Sequence, residues 1–257
     1  MNTLSPSTPV ALITGGNRGL GKSMVLTLAR RGVDVIFTYR NNQAEAADVV
    51  AQVEKFGRRA VALQLDVGVV ASFSKFATQV REELKNRWQR DRLNYLVNNA
   101  GMGAYASFAE TTEEQFDELV NVHFKGPYFL TQKLLPLLSD GGRIVNISSG
   151  LTRFSYPGYS AYASMKGAIE VLTRYQAKEL GTRGITVNTV APGAIETDFG
   201  GGRVRDNKEL NAMIASHIAL GRVGKPEDIG AAVASLLTPE NGWINAERIE
   251  ASGGQML

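Results

Sequence analysis

A tyrosine and a lysine are separated by three residues in the segment Tyr162-Ala163-Ser164-Met165-Lys166. On a helix, this spacing places both side chains on one face. A tyrosine with an ordinary pKa of about 10 exchanges protons poorly at neutral pH, and a neighbouring ammonium group lowers that pKa because it favours the phenolate. The pair could therefore act as an acid or a base, although an isolated pair at this spacing is usually only a surface contact.

Other polar residues follow predicted strands. Ser149 comes at the end of a strand predicted over residues 142–148, thirteen positions before Tyr162, and the segment NNAG at 98–101 follows a strand predicted over 93–97. Ligands of doubly wound α/β folds bind at the carboxyl ends of parallel strands. We therefore expect these groups to meet at one edge of a sheet.

The glycine-rich segment TGGNRGLGKS, residues 14–23, follows the first predicted strand. A turn of this kind between a strand and a helix brings backbone N–H groups up to a phosphate. From Gly16 onward it fits the P-loop of nucleotide triphosphatases, in which Lys22 would hold phosphates, Ser23 would hold magnesium and Asp66 could supply an acidic magnesium ligand.

From Gly15 onward, the same segment fits a dinucleotide-binding turn. Gly15 would allow the tight bend, Gly19 would let the backbone approach a pyrophosphate, and Gly21 would let the helix pack on the strand. The turn alone does not distinguish the two interpretations. A redox enzyme also needs proton-transfer groups beside its nicotinamide, and Ser149 and Tyr162 favour this second interpretation.

The elements that must position these residues alternate along the chain. Short apolar segments predict strands over residues 10–14, 33–38, 60–65, 93–97, 142–148 and 185–190 and near 248–250. Helical periodicity predicts helices over residues 19–31, 42–56, 69–88, 112–138, 159–182 and 226–237, with an uncertain segment at 198–218. This alternation predicts an α/β fold, a Rossmann-type doubly wound parallel sheet in a single domain over 10–257, after a disordered N-terminal tail over 1–9.

Composition excludes several classes of site and partner. The 257 residues include no cysteine, which excludes disulfides, thiolate metal sites and a cysteine nucleophile. The net charge of +3 is spread along the predicted helices, so we expect no nucleic-acid partner, and no apolar run is long enough to cross a membrane. The only histidines, His123 and His217, are expected to be structural or surface residues, with no metal site. We expect a cytoplasmic protein.

Five motifs in order make the chain similar to the short-chain dehydrogenase/reductase family, in its single-domain subgroup, from Val10 to Gly254. They are Thr14-Gly15 to Gly21, Asp66-Val67, Asn98 to Gly101, Ser149 with Tyr162 and Lys166, and Ala191-Pro192-Gly193 with Ile195 and Thr197.

The resemblance implies a role for each catalytic residue. Tyr162 would be the acid in carbonyl reduction and the base in alcohol oxidation, and Ser149 would bind the substrate oxygen. Lys166 would lower the Tyr162 pKa and hold the nicotinamide ribose. Asn121 would fill the family's fourth catalytic position, an asparagine that keeps a water-linked proton relay to the lysine. The resemblance also implies a homo-oligomer, a tetramer.

The cofactor is expected to be NADP(H) rather than NAD(H). Tyr39 stands where NAD-binding folds usually carry an acid, and Arg40 beside it and Arg18 in the glycine turn are two guanidinium groups suited to a 2′-phosphate. The expected cofactor-binding residues are Gly15, Asn17, Arg18, Gly19, Leu20, Gly21, Arg40, Asp66, Val67, Asn99, Ala100, Gly101, Tyr162, Lys166, Pro192, Gly193, Ile195 and Thr197.

A small carbonyl or alcohol is the expected substrate. The residues expected around the nicotinamide are mostly apolar or aromatic, and the segment 198–218 could close over them as a lid: Met102, Gly103, Leu151, Thr152, Arg153, Phe154, Tyr156 and Tyr159. The sequence thus predicts an NADP(H)-dependent oxidoreductase that interconverts a carbonyl and a secondary alcohol. A catalytically idle dinucleotide-binding sensor or scaffold and a P-loop triphosphatase are the alternatives.

Overall fold

A computed structural model of the protein describes residues 8–257, so most of the predicted N-terminal tail lies outside the described residues. Seven strands form one parallel sheet in the order β3-β2-β1-β4-β5-β6-β7. The strands are β1 (Val10–Ile13), β2 (Asp34–Tyr39), β3 (Ala60–Gln64), β4 (Leu93–Asn98), β5 (Leu138–Ile147), β6 (Thr186–Pro192) and β7 (Arg248–Ala251). The strand order reverses between β1 and β4, which confirms the predicted doubly wound fold.

Helices cover both faces of this sheet. They are α1 (Gly19–Arg30), α2 (Gln43–Glu54), α3 (Phe73–Trp88), α4 (Glu113–Val120), α5 (Gly126–Leu134), α6 (Ser160–Leu180), α7 (Arg203–Asp206), α8 (Lys208–Ala215) and α9 (Pro226–Leu236). Alternate β1 residues supply two separate cores. Val10 and Leu12 pack in the core that includes α3 and α5, whereas Ala11 and Ile13 pack in the core that includes α1, α2 and α9. Strands buried on both faces are therefore nearly all apolar.

The helix predicted over 112–138 differs from the structure in two respects. A π-helical turn, Asn121–Lys125, separates α4 from α5, and α5 ends at Leu134 before a short 3-10 turn that contains Pro136. Proline lacks a backbone donor and restricts the residue before it, so the helix cannot continue there. The strand β5 accordingly starts at Leu138, earlier than predicted.

The uncertain segment forms a 3-10 turn, Phe199–Gly202, followed by α7 and α8. Its three glycines, Gly200, Gly201 and Gly202, all have a positive φ, which explains why no regular periodicity was visible in the sequence. Within residues 8–257, no helix combines the length and apolar character needed for a bilayer crossing.

Candidate active site

A cavity of about 690 Å³ opens at the carboxyl ends of the central strands, where the strand order reverses. Every residue expected to bind the cofactor lines this cleft, and so does the expected catalytic residue Ser149. The cleft is also lined by residues to which the sequence assigned no binding role: Thr38, Asn41, Asn42, Glu45, Leu65, Val122, His123 and Gln255.

The glycine turn forms a cradle at one end of the cleft. Gly15 and Gly19 have φ values of +68° and +54°, a conformation that side-chain-bearing residues rarely adopt. A Cβ atom at Gly21 would collide with the Gly15 carbonyl oxygen and would lie 2.7 Å from Asn99 Nδ2. The turn therefore requires glycine at these positions, and its bare backbone at the start of α1 suits the pyrophosphate of a dinucleotide.

Hydrogen bonds fix this turn to the end of β4. Thr14 Oγ1 accepts from the backbone N–H groups of Asn99 and Ala100, at 2.9 Å each. Asn99 Nδ2 in turn donates to the carbonyl oxygens of Thr14, at 2.8 Å, and Gly15, at 3.2 Å. Thr14 and Asn99 thus hold the cradle in register with the strand that carries the next part of the site.

The P-loop interpretation of the turn is wrong, because its two functional side chains point elsewhere. Lys22 Nζ lies 3.1 Å from Asp48 on α2, and neither Lys22 nor Ser23 lines the cleft. Ser23 is buried against Gly230 of α9. No group of acidic or histidine side chains within residues 8–257 is arranged to hold a metal ion.

Two cationic side chains lie at the same end of the cleft. Arg18 and Arg40 are exposed, and neither takes part in a salt bridge within residues 8–257. The nearby Glu45 carboxylate accepts a hydrogen bond from Asn17 Nδ2 at 2.7 Å. Asp66 Oδ1 accepts one from the Gly68 N–H at 2.8 Å and so shapes the turn after β3. Guanidinium groups without an acidic partner are suited to bind a phosphate.

The helix α6 carries the Tyr–Lys pair into the centre of the cleft. Tyr162 and Lys166 are only 8% and 5% exposed. Lys166 Nζ donates a hydrogen bond to the Ile147 carbonyl oxygen at the end of β5, at 2.9 Å. Ser149 follows that strand, and its Oγ accepts from the Leu151 N–H at 3.2 Å. The structure thus brings Ser149, Tyr162 and Lys166 together, as predicted.

Burial changes the acidity of both members of the pair. Burial raises the pKa of Tyr162 well above its ordinary value, and a hydrogen bond with the Ser149 hydroxyl opposes this rise. Burial also lowers the pKa of Lys166 to about 8. The net shift of the Tyr162 pKa is upward because burying a phenolate is costly. At neutral pH, the Tyr162 phenol is therefore protonated. The effect of Lys166 on this pKa stays a prediction.

Asn121 lies in the π-helical turn and is not among the residues that line the cleft. Its carbonyl oxygen accepts the Gly126 N–H in the π-helical turn. The side chains that this turn directs to the cleft are Val122 and His123. The water-linked relay that the family resemblance implies for Asn121 stays a prediction.

His123 is a site residue that sequence reasoning missed. It is 1% exposed, its Nε2 lies 2.8 Å from the Met102 carbonyl oxygen, and its ring meets the Tyr162 ring edge-on at a centroid distance of 5.1 Å. Burial, with a contribution from the Lys166 charge, lowers its pKa to about 3, so the imidazole is neutral. His123 is buried, as a structural residue would be, but its ring also contacts Tyr162 and lines the cleft.

The other end of the cleft is apolar and aromatic. The Phe199 ring lies 5.7 Å from the Tyr162 ring, and Tyr105 packs edge-on against Tyr159 at 5.5 Å. The lining side chains here are Met102, Leu151, Phe154, Tyr156, Tyr159, Phe199, Val204 and Ile214. The expected neighbours Thr152 and Arg153 are not among them, because they bond to Glu170 and Glu250.

The C-terminal segment completes the cleft wall, which no sequence motif indicated. Gln255 is 2% exposed, and its Oε1 accepts the Ala194 N–H at 2.9 Å. The Arg153 guanidinium donates to the Gln255 and Met256 carbonyl oxygens. The chain end is thereby held against the loop after β6, which carries Ile195 and Thr197.

Comparison with known proteins finds relatives that match nearly the whole chain. The family model described as enoyl-(acyl carrier protein) reductase matches residues 15–255. The hydroxynaphthalene reductase-like protein Arp2 of Metarhizium brunneum is 34% identical over 258 residues, which cover 96% of this chain and 94% of the relative. A short-chain dehydrogenase/reductase of Pestalotiopsis microspora is 36% identical over 255 residues, which cover 95% and 94% of the two chains.

Two solved structures are similar over nearly their whole length. The reductase LugOII, which catalyses keto-reduction at C1 during lugdunomycin biosynthesis, superposes with a TM-score of 0.93 at 39% identity, covering 98% of this chain and 100% of that one. The angucycline C-6 ketoreductase LanV, solved with bound NADP, superposes with a TM-score of 0.92 at 35% identity, covering 97% and 96%.

A doubly wound sheet with a dinucleotide-type turn, a buried Tyr–Lys pair and a serine beside it in the same cleft defines an α/β oxidoreductase. The extent of the matches identifies the family within that class. The chain belongs to the short-chain dehydrogenase/reductase family.

Proposed function

We propose that the protein is an NADPH-dependent reductase that converts a ketone to a secondary alcohol. The observation that carries this proposal is the burial of Tyr162 beside Ser149 and Lys166 in the cleft that also contains the glycine turn. NADPH would supply the hydride. The protein must then supply a proton and bind the carbonyl oxygen while its negative charge develops.

Tyr162 is the proposed proton donor. Its raised pKa keeps the phenol protonated at neutral pH, so that the hydroxyl can give its proton to the carbonyl oxygen as the new C–H bond forms. The Ser149 hydroxyl would donate a hydrogen bond to the same oxygen. A buried site strengthens both interactions, because little water competes for the oxygen.

Lys166 would return a proton to Tyr162. Its Nζ is held by the Ile147 carbonyl oxygen, and its pKa of about 8 lets it lose and regain a proton near neutral pH. Its remaining N–H groups would hold the nicotinamide ribose. This transfer regenerates the Tyr162 phenol, which can donate a proton again in the next turnover.

Arg18 and Arg40 are the proposed 2′-phosphate ligands. Both line the cleft at the end beyond the glycine turn, and Tyr39 takes the place of the acid that would repel the phosphate. The NADP bound to the similar ketoreductase LanV supports the same cofactor for this chain. The other proposed cofactor contacts are the remaining cofactor-binding residues predicted from the sequence, all of which line the cleft.

The proposed substrate class is a ketone on a planar aromatic ring system. The apolar and aromatic side chains around Tyr162 favour such a surface, since aromatic rings pack edge-to-face or offset against one another. The names of the relatives support this class: hydroxynaphthalene reductases and a LanV structure with rabelomycin.

A homo-oligomer, expected as a tetramer, is proposed as the working form. The helices α5 and α6 carry an exposed apolar surface that includes Tyr128 at 42%, Val171 at 45% and Tyr175 at 64% exposure. Surfaces of this kind on a soluble chain are typical of association. A cytoplasmic location stays a prediction.

The test is turnover of a panel of aromatic and aliphatic ketones with NADPH or NADH, followed by absorbance of the reduced nicotinamide. We expect NADPH oxidation with aromatic ketones and little with NADH. Equal rates with both nucleotides would contradict the cofactor assignment. Activity restricted to small aliphatic ketones would contradict the substrate class.

A further inference from the structure

His123 Nε2 contacts both backbone groups of Met102, on the loop after β4. It lies 2.8 Å from the Met102 carbonyl oxygen and 3.3 Å from the Met102 backbone nitrogen. One imidazole nitrogen cannot donate to the carbonyl and accept from the amide at once. The shorter contact, to the carbonyl, indicates that Nε2 carries the hydrogen.

Nδ1 of a neutral ring protonated at Nε2 has a free lone pair. In this structure, His123 Nδ1 is buried and has no hydrogen-bond partner among the described residues. Buried polar atoms without partners are rare and costly, so such an atom next to a functional cleft calls for a ligand.

The surroundings of Nδ1 belong to the proton-transfer site. A Cβ atom at Gly101 would lie 2.8 Å from His123 Cε1 and 3.3 Å from Nδ1, so only a glycine leaves this edge of the ring uncrowded. Gly101 itself lines the cleft. The Lys166 charge contributes to the lowered pKa of His123. The Tyr162 ring packs against the imidazole with a centroid distance of 5.1 Å and an interplanar angle of 88°.

We propose that His123 is a positioning residue for carbonyl reduction. Its Nε2–H holds the Met102 carbonyl, its ring supports Tyr162, and its Nδ1 lone pair accepts a hydrogen bond from a water molecule that also contacts Lys166. The imidazole stays neutral throughout and takes up no proton. The expected effect of His123 on the reaction rate rests on the proposed function. The assignment of the hydrogen to Nε2 does not.

Nitrogen NMR of the histidine-labelled protein tests the tautomer directly. The sequence has two histidines, so His217→Gln, at an exposed position, leaves His123 as the single imidazole. We expect a ring with hydrogen on Nε2 and none on Nδ1, unchanged between about pH 5 and 9, where an ordinary histidine titrates. A ring with hydrogen on Nδ1, or one that titrates near pH 6.5, would overturn the proposal.

Two variants test the positioning role. His123→Phe keeps an aromatic ring beside Tyr162 but removes both nitrogens, and we expect kcat to fall about tenfold or more while the Kd for NADPH changes little. The alkaline limb of the kcat profile should also shift to lower pH, because the Lys166 ammonium loses its water-linked acceptor. His123→Asn restores a donor and an acceptor and should recover most of the rate.

The outcomes separate this inference from the proposed function. If His123→Phe does not fold, His123→Asn and the NMR tautomer still decide the proposal. Full activity and an unchanged pH profile of His123→Phe would overturn it. A protein with the expected tautomer that reduces no ketone would contradict the proposed function and leave the assignment of the hydrogen to Nε2 in place.

Discussion

The ammonium nitrogen of Lys166 lies 5.6 Å from the centre of the Tyr162 ring. The same nitrogen donates to the Ile147 carbonyl oxygen, so β5 fixes the lysine while α6 carries the tyrosine. Both side chains are buried, and burial raises the pKa of Tyr162, which keeps its phenol protonated at neutral pH. This geometry favours a reductase, because reduction requires the tyrosine to begin as an acid.

Tyr162→Phe should lower kcat for ketone reduction by about a hundredfold to ten-thousandfold, the usual contribution of a positioned general acid. NADPH binding should persist, since only a hydroxyl is lost. The matched control is Tyr175→Phe on the same helix, which lies outside the cleft and keeps the apolar ring of the proposed association surface, so the rate should be unchanged. Steady-state kinetics and fluorescence titration measure the two effects. Unchanged kcat in Tyr162→Phe would remove this residue from the mechanism.

Arg18→Ala and Arg40→Ala should each weaken NADPH binding by roughly tenfold to a hundredfold, because each removes a charge-assisted hydrogen bond to phosphate. NADH, which lacks the 2′-phosphate, should bind both variants as it binds the original protein. Lys22→Ala is the control, since Lys22 pairs with Asp48 outside the cleft. Equal losses for both nucleotides would mean that these arginines do not read the 2′-phosphate.

Gly21→Ala should abolish binding of either nucleotide and destabilise the protein by about 1 to 3 kcal/mol, because the new methyl group collides with the Gly15 carbonyl. Gly167→Ala on α6 is the matched control, with no atom within 4 Å of the added carbon. It should leave stability the same or raise it by up to about 1 kcal/mol. Urea unfolding and nucleotide titration compare the pair, and tight binding by Gly21→Ala would show that the cradle tolerates the methyl group.

Acid should destabilise the protein through His123. The folded-state pKa is about 3, below the ordinary 6.5, so between these values the unfolded chain binds a proton that the folded protein does not. The free energy of unfolding therefore falls as pH drops from about 6.5, by roughly 2 to 3 kcal/mol at pH 4.5, and this loss levels off below the folded-state pKa. Urea midpoints of the original protein and His123→Asn should diverge across this window. Parallel midpoints would show that the folded protein accepts the proton on His123.

Residues that follow strand ends were predictable from the sequence. Thr14, Ser149 and Pro192 come directly after or at the end of apolar segments, and parallel strands deliver such residues to one sheet edge. The helical spacing of Tyr162 and Lys166 likewise placed both side chains in the cleft.

Features that depend on local helix geometry or on burial were not predictable. The π-helical turn at Asn121–Lys125 places Val122 and His123 in the cleft, and the sequence pattern does not reveal this turn. The raised Tyr162 pKa follows from how completely the fold covers the phenol. Gln255 enters the site only because the chain end folds back over the loop after β6.

Transfer of deuterium from 4-deuterated NADPH to an aromatic ketone tests the central claim most directly. Mass spectrometry of the alcohol should find one deuterium on the carbinol carbon, and Tyr162→Phe should form this product at a small fraction of the rate. Tight NADPH binding without any labelled alcohol across the ketone panel would contradict the reductase assignment and favour a dinucleotide-binding protein without catalytic activity.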